Sequence, residues 1–109
     1  YPTLMMGGRG SITASAAIIP EIIVDLYQKW KQGNYEKARG IQFSFLEMFR
    51  AMKSLPFPLG FKSALEIRGF NMGPEKQPLS EGERSDYLQN KNKIAATMEA
   101  LLGEEKVVI

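Results

Sequence analysis

The sequence predicts a mostly α-helical chain opened by one short strand, and three observations carry that expectation. Apolar residues recur at helical spacing in four stretches between Pro20 and Gly103. Those stretches are bounded by residues that start or stop helices, among them Pro20, Gly33, Asn34, Gly69, Ser80 and Gly103. Only Ser11 to Ala17 alternates with period two, Ser11, Thr13 and Ser15 against Ile12, Ala14 and Ala16.

Each element follows from local chemistry. The strand is Ser11 to Ala17. Pro20 suits a first helical position, and Ile22, Ile23, Leu26, Tyr27 and Trp30 form one face of a helix over about 20 to 32 that Gly33 ends. Asn34 caps a second helix whose inner face is Ala38, Ile41, Phe45, Met48, Phe49 and Met52, ending before Pro56. So short a turn between them predicts antiparallel neighbours. The two prolines of "LPFPLGFKSALEIRGF" forbid a continuous helix, and Phe61, Ala64 and Leu65 then mark a short third helix closed by Gly69. After the irregular "NMGPEKQPL", Ser80 and Glu83 make a capping box for a fourth helix carrying Tyr87, Leu88, Ile94, Met98 and Leu101, stopped by Gly103. The tail "EEKVVI" carries no assignment.

Composition narrows the chemistry. The 109 residues, 44% hydrophobic and 24% charged, are those of one soluble globular unit or a piece of one, with no apolar run approaching a membrane span. A net charge of +2 on 14 basic and 12 acidic residues makes no basic stripe, so nucleic acid is not an expected partner. Cysteine and histidine are both absent, which excludes disulfides, thiolate and imidazole metal sites, cysteine nucleophiles and every histidine-containing triad. The lack of cysteine fits a cytoplasmic protein. The opening at Tyr1, without initiator methionine or charged-then-apolar leader, reads as a segment from within a longer chain.

The glycine cluster of "MMGGRGSITASAA" precedes the predicted strand instead of linking a strand to a helix. That order suits a tight connection at Gly7, Gly8 and Gly10, with Arg9 a solvated or helix-capping charge, better than a phosphate loop. A lone strand leaves backbone groups unpaired on both sides. Ser11 to Ala17 must therefore join a sheet from elsewhere or abandon strand structure.

Four motifs in order resemble the pyruvate-dependent class I aldolases, the family of dihydrodipicolinate synthase, N-acetylneuraminate lyase and the 2-keto-3-deoxy-sugar-acid aldolases. "GGRGSITASAAIIPE" is similar to that family's eighth barrel strand and its approach, and "YQKWKQGNYEKARGIQ" to the helix-turn-helix that follows, with Gly33, Asn34, Ala38 and Arg39 on its recurring pattern. "PFPLGFKSALEIRGF" resembles the family's segment of spaced prolines, lysine, alanine and leucine, and "EKQPLSEGER" its turn and capped final helix.

The resemblance implies that residues 1–33 are the last strand and helix of a (β/α)8 TIM barrel and residues 34–109 a three-helix C-terminal extension. It implies a parent enzyme that forms a Schiff base between a barrel lysine and pyruvate or another 2-keto acid, with a tyrosine relaying protons, and commonly a homo-oligomer; no cofactor, metal or membrane partner is expected. The lysine and tyrosine of the family lie on earlier strands, so no catalytic residue is carried onto this chain. Lys29, Lys31, Lys37, Lys91 and Lys93 fall on polar helix faces, and Lys62 matches a helix-start lysine of structural character.

In such a barrel chemistry lies at the C-terminal ends of the strands, which makes Ser15, Ala16 and Ala17 the expected substrate-pocket residues. Many members have asparagine where this chain has Ala17, a loss of one donor and one acceptor. Leu55 stands where dihydrodipicolinate synthases usually have asparagine, and Lys76 where the family often has arginine. These departures lean toward a sugar-acid aldolase or an unassigned branch. The alternative, from another class, is a free-standing helical interaction module without enzymatic activity that would use Phe45, Met48, Phe49 and Met52 to grip a partner helix.

Overall fold

The computed structural model describes residues 1–107. Its elements are α1 (Pro2–Met5), α2 (Ser15–Ile18), α3 (Pro20–Lys31), α4 (Tyr35–Ser44), α5 (Leu46–Lys53), α6 (Leu59–Ile67), α7 (Glu81–Leu102) and a 3-10 turn (Glu104–Lys106). Two compact units divide between Leu46 and Glu47.

In the first unit, Pro20 and Glu21 open α3 while Lys29 and Lys31 close it, each charge placed to complement the helix dipole. Gly33 then takes φ +77°. Its N–H donates to the Trp30 carbonyl at 2.9 Å and that of Asn34 to the Lys29 carbonyl at 2.9 Å, the paired bonds of a Schellman motif. Asn34 Oδ1 accepts from the N–H of Lys37 at 3.3 Å to cap α4. The turn brings α3 and α4 together as packed neighbours. Leu26 and Ala38 are buried, and Ile22, Ile23 and Trp30 half-buried.

One predicted helix is two. Phe45, at φ −100° and ψ 5°, separates α4 from α5. The Ser44 hydroxyl donates to the Ile41 carbonyl at 2.7 Å, a side-chain bond that competes with the helical ladder at the break.

In the second unit, α5 buries Met48, Ala51 and Met52. Ser54 and the Pro56 to Pro58 stretch, with a cis Phe57–Pro58 bond, turn the chain into α6. Gly60 permits a close approach of α6 to α5: a Cβ there would fall on the carbonyl group of Met52. A second Schellman motif ends α6, with Gly69 at φ +91°, its N–H donating to Glu66 and that of Phe70 to Leu65. Residues 70–80 return along α6. Lys62 Nζ donates to the Pro74 carbonyl at 3.0 Å and Gln77 Nε2 to the Phe57 carbonyl at 2.8 Å.

The expected capping box then starts α7. Ser80 Oγ accepts from the N–H of Glu83 at 3.2 Å, and Glu83 Oε2 accepts from the N–H of Ser80 at 2.7 Å. Helix α7 packs on α6 and buries Ile94, Ala95 and Met98. Leu88, one of the apolar residues this helix carries, is 67% exposed, and burial begins only with the helix's second half. Gly103, at φ +92°, stops the helix as expected. Of the tail, Glu104–Lys106 forms the 3-10 turn, and Val108 and Ile109 lie outside the described residues.

The stripe that a helical interaction module would need to present is core: Phe45, Met48 and Met52 are buried and Phe49 is half-buried. No helix among the described residues is long and apolar enough to cross a membrane.

Candidate functional site

At Ser11 to Ala17 the structure replaces the predicted strand. Among the described residues there is no strand, and Ser15–Ile18 forms one helical turn instead. A strand needs a neighbour to satisfy its backbone, and the described residues offer none. The N–H groups of Ala16 and Ala17 therefore turn inward, donating to the carbonyls of Thr13 at 3.3 Å and Ala14 at 3.1 Å. The fold class is helical throughout these residues, and a strand requires a sheet from outside them.

The approach to this segment is tight at Gly7 and Gly8, and the expected constraint at Gly10 is absent. Gly7, at φ +89°, closes α1, and the N–H of Gly8 donates to the Thr3 carbonyl at 2.8 Å. A Cβ on Gly8 would sit 2.5 Å from Thr3 Cγ2. Arg9 is exposed, and Gly10 has open space around it.

Of the three candidate pocket residues, Ser15 is 2% exposed, while Ala16 and Ala17 face outward. The Oγ atoms of Ser15 and Thr13 lie 2.7 Å apart, and the N–H of Ser15 points at Thr13 Oγ1 at 3.4 Å. The alternation already places Thr13 and Ser15 on one side of a strand, and the turn brings the same two hydroxyls together by another route. Next to them Ile18 and Ile19 are both buried. Two consecutive buried residues fit the joint between α2 and α3 and do not fit a strand with one covered face. Two hydroxyls can orient a carboxylate or a sugar hydroxyl by donating and accepting hydrogen bonds, but neither can form an imine.

Two of the lysines, Lys91 and Lys62, are engaged in contacts of their own. An imine-forming amine has to lose its proton near neutral pH. Lys91 is pushed the opposite way: Glu66 accepts its hydrogen bond at 2.7 Å and raises its pKa above the ordinary lysine value. Lys62 fastens the segment at Pro74 to α6, in keeping with its expected structural character. No group of three or more acidic, histidine or cysteine side chains among the described residues could hold a metal ion.

Similarity to known proteins bears on this arrangement directly. The dihydrodipicolinate synthetase family matches residues 1–98. The chain is 36% identical over 80 residues to the 4-hydroxy-tetrahydrodipicolinate synthase of Methanopyrus kandleri, covering 73% of this chain and 27% of that protein. It is 40% identical over 80 residues to the enzyme of the same name from Methanospirillum hungatei, covering 73% and 28%. To an uncharacterized DapA-like lyase of Halobacterium salinarum it is 40% identical over 78 residues, covering 72% and 26%. The chain thus spans little more than a quarter of the length of these relatives. No solved structure matches it. With nine-tenths of its length matched, from Tyr1 through the glycine turn at Gly7 and the capped helix α7 to Met98, the chain belongs to the dihydrodipicolinate synthetase family.

Proposed function

We propose that this chain is the C-terminal segment of a Schiff-base-forming, pyruvate-dependent aldolase or lyase. Residues 1–33 complete the barrel as its last strand and helix, and residues 34–109 form an extension that supports homo-oligomer assembly. The observation that carries this reading is the family match over residues 1–98, with relatives named as synthases and lyases.

The mechanism assigns this segment a positioning role. The reacting amine, its tyrosine and the imine belong to earlier strands of the parent protein. The iminium itself is the electron sink, so no cofactor is called for. Ser15, with Ala16 and Ala17, shapes the mouth of the pocket and binds polar groups of a 2-keto acid substrate or its acceptor. The relatives' names divide between synthase and lyase at 40% identity each, and so choose no branch. Ala17 in place of a pocket amide, with Leu55 and Lys76, favours a sugar-acid aldolase or an unassigned branch. The same reading makes the parent a cytoplasmic enzyme.

Borohydride reduction in the presence of pyruvate tests it. The expected result is stoichiometric labelling of the full-length parent and none of the 109-residue chain. A labelled lysine within residues 1–109 would put the active site in this segment and defeat the proposal. Ser15→Ala in the parent should alter KM or stereochemical preference while the trapped pyruvate imine still forms.

A further inference from the structure

Ser11 to Ala17 carries two contradictory instructions. Its alternation is that of a strand, yet the segment folds as a turn that ends in α2. The turn has local support at Thr13. Its Oγ1 lies 2.7 Å from Ser15 Oγ and accepts, at 3.4 Å, from the N–H of Ser15, and its carbonyl accepts from Ala16. A hydroxyl that bonds to the backbone two residues ahead offers that backbone an alternative to a sheet ladder. Extending the segment would carry the Thr13 and Ser15 side chains to successive positions on one strand face, about 7 Å apart at the strand rise, and break the bond between them.

We infer that the Thr13–Ser15 hydroxyl pair is a conformational latch. It holds residues 13–18 as a helical turn whenever no sheet neighbour is present, and it opens when one is supplied. The latch guards against a specific competitor, a second copy of this chain. An unpaired strand with open edges pairs readily with its own kind, whereas a turn that has satisfied the N–H groups of Ser15, Ala16 and Ala17 internally presents no such edge. The inference stands on the alternation and the hydroxyl geometry and does not require the aldolase reading.

The test is residue-specific NMR of the 109-residue chain, reading the 13Cα and 13Cβ shifts of Ala14, Ala16 and Ala17, in solution or by magic-angle spinning if the chain associates. Thr13→Val removes the hydroxyl and keeps the branched shape. Thr13→Ala removes the hydroxyl and lowers strand propensity. Thr13→Ser keeps the hydroxyl. The wild-type chain and Thr13→Ser are expected to give helical shifts at Ala16 and Ala17. Both hydroxyl-free variants should move toward extended values, the ratio of turn to extended forms falling roughly three- to tenfold, as the loss of one hydrogen bond implies. Movement in Thr13→Val alone would assign the effect to strand propensity and overturn the latch. Extended shifts in the wild type, or equal movement in Thr13→Ser and Thr13→Ala, would overturn it as well.

Discussion

Lys91 Nζ lies 2.7 Å from Glu66 Oε2, tying the middle of α7 to α6, and 5.9 Å from the centre of the Tyr87 ring. Both side chains of the pair are about two-thirds to three-quarters withdrawn from solvent, at 32% and 26% exposure. The pair is thus less screened than a surface bridge, without carrying the cost of full burial. Lys91→Met, which keeps the aliphatic stem, should lower stability by about 1 kcal/mol, read as a drop in Tm of about 4 °C. The pH dependence has a definite sign. The bond to Glu66 raises the folded-state pKa of Lys91 above its unfolded value. Its contribution is therefore complete below about pH 10.4 and is lost as pH rises through the folded value. Alkaline titration of wild type and variant by circular dichroism checks this: the two stability curves should converge at high pH.

The start of α7 responds to acid instead. Glu83 accepts from both the N–H and the hydroxyl of Ser80, and the backbone bond, followed by the side-chain bond, lowers its pKa. A carboxylate depressed in this way supports the fold above its unfolded pKa of about 4.3 and ceases to do so as pH falls through the lower folded value. Ellipticity at 222 nm should show a loss below about pH 4.3 in wild type that Glu83→Gln does not show. Ser80→Ala, which removes the cap, should cost about 1 kcal/mol at neutral pH.

Gly60 tolerates no side chain. Since a Cβ would meet the backbone carbonyl of Met52 and not a movable side chain, α5 and α6 have to separate to admit even alanine. Gly60→Ala should cost about 3 kcal/mol or more and broaden urea unfolding. Gly10→Ala, placed in open space, serves as the control and should leave the midpoint unchanged.

The assembly proposal separates two neighbouring side chains. Met52 is fully buried, so Met52→Glu places an unpaired charge in the core and should unfold the chain. Phe49 is only half-buried. Phe49→Glu should leave helical ellipticity in place and shift sedimentation of the intact protein toward smaller species. Unchanged sedimentation in Phe49→Glu would remove α5 from the assembly surface.

Which features the sequence made legible depends on where their causes lie. Asn34 and Ser80 cap helices, and Gly33, Gly69 and Gly103 end them, through bonds made within five residues of themselves. Such signals survive translation from sequence to structure because nothing distant can countermand them. The break at Phe45 was hidden, since Ala38, Ile41, Phe45 and Met48 keep helical spacing across it and only the Ser44 hydroxyl marks the interruption. The exposure of Leu88 is not legible in the sequence, because periodicity gives a face and not the point along a 22-residue helix where a neighbour begins to cover it. Ser11 to Ala17 was misread for the deepest reason. Period two states what a segment does beside a sheet, and the choice between strand and turn belongs to the neighbour. Among the candidate pocket residues, the importance of Ser15 was readable as a hydroxyl on the strand face, whereas its pairing with Thr13 became visible only in the folded turn.

The distribution of methionine turns the molecule into its own oxidation gauge. Met48, Met52 and Met98 have no exposed surface, while Met5 and Met6 are 48% and 88% exposed. Peroxide reaches a thioether only where it is open to solvent, and the resulting sulfoxide is too polar for an apolar core. Met5 and Met6 should therefore convert at the rate of free methionine. The inner three should wait for opening of the unit that holds them, so their lag, read peptide by peptide by mass spectrometry, measures how often that unit opens. Once oxidised, those three sulfurs no longer fit the space they left, and each opening that admits peroxide becomes harder to reverse than the one before.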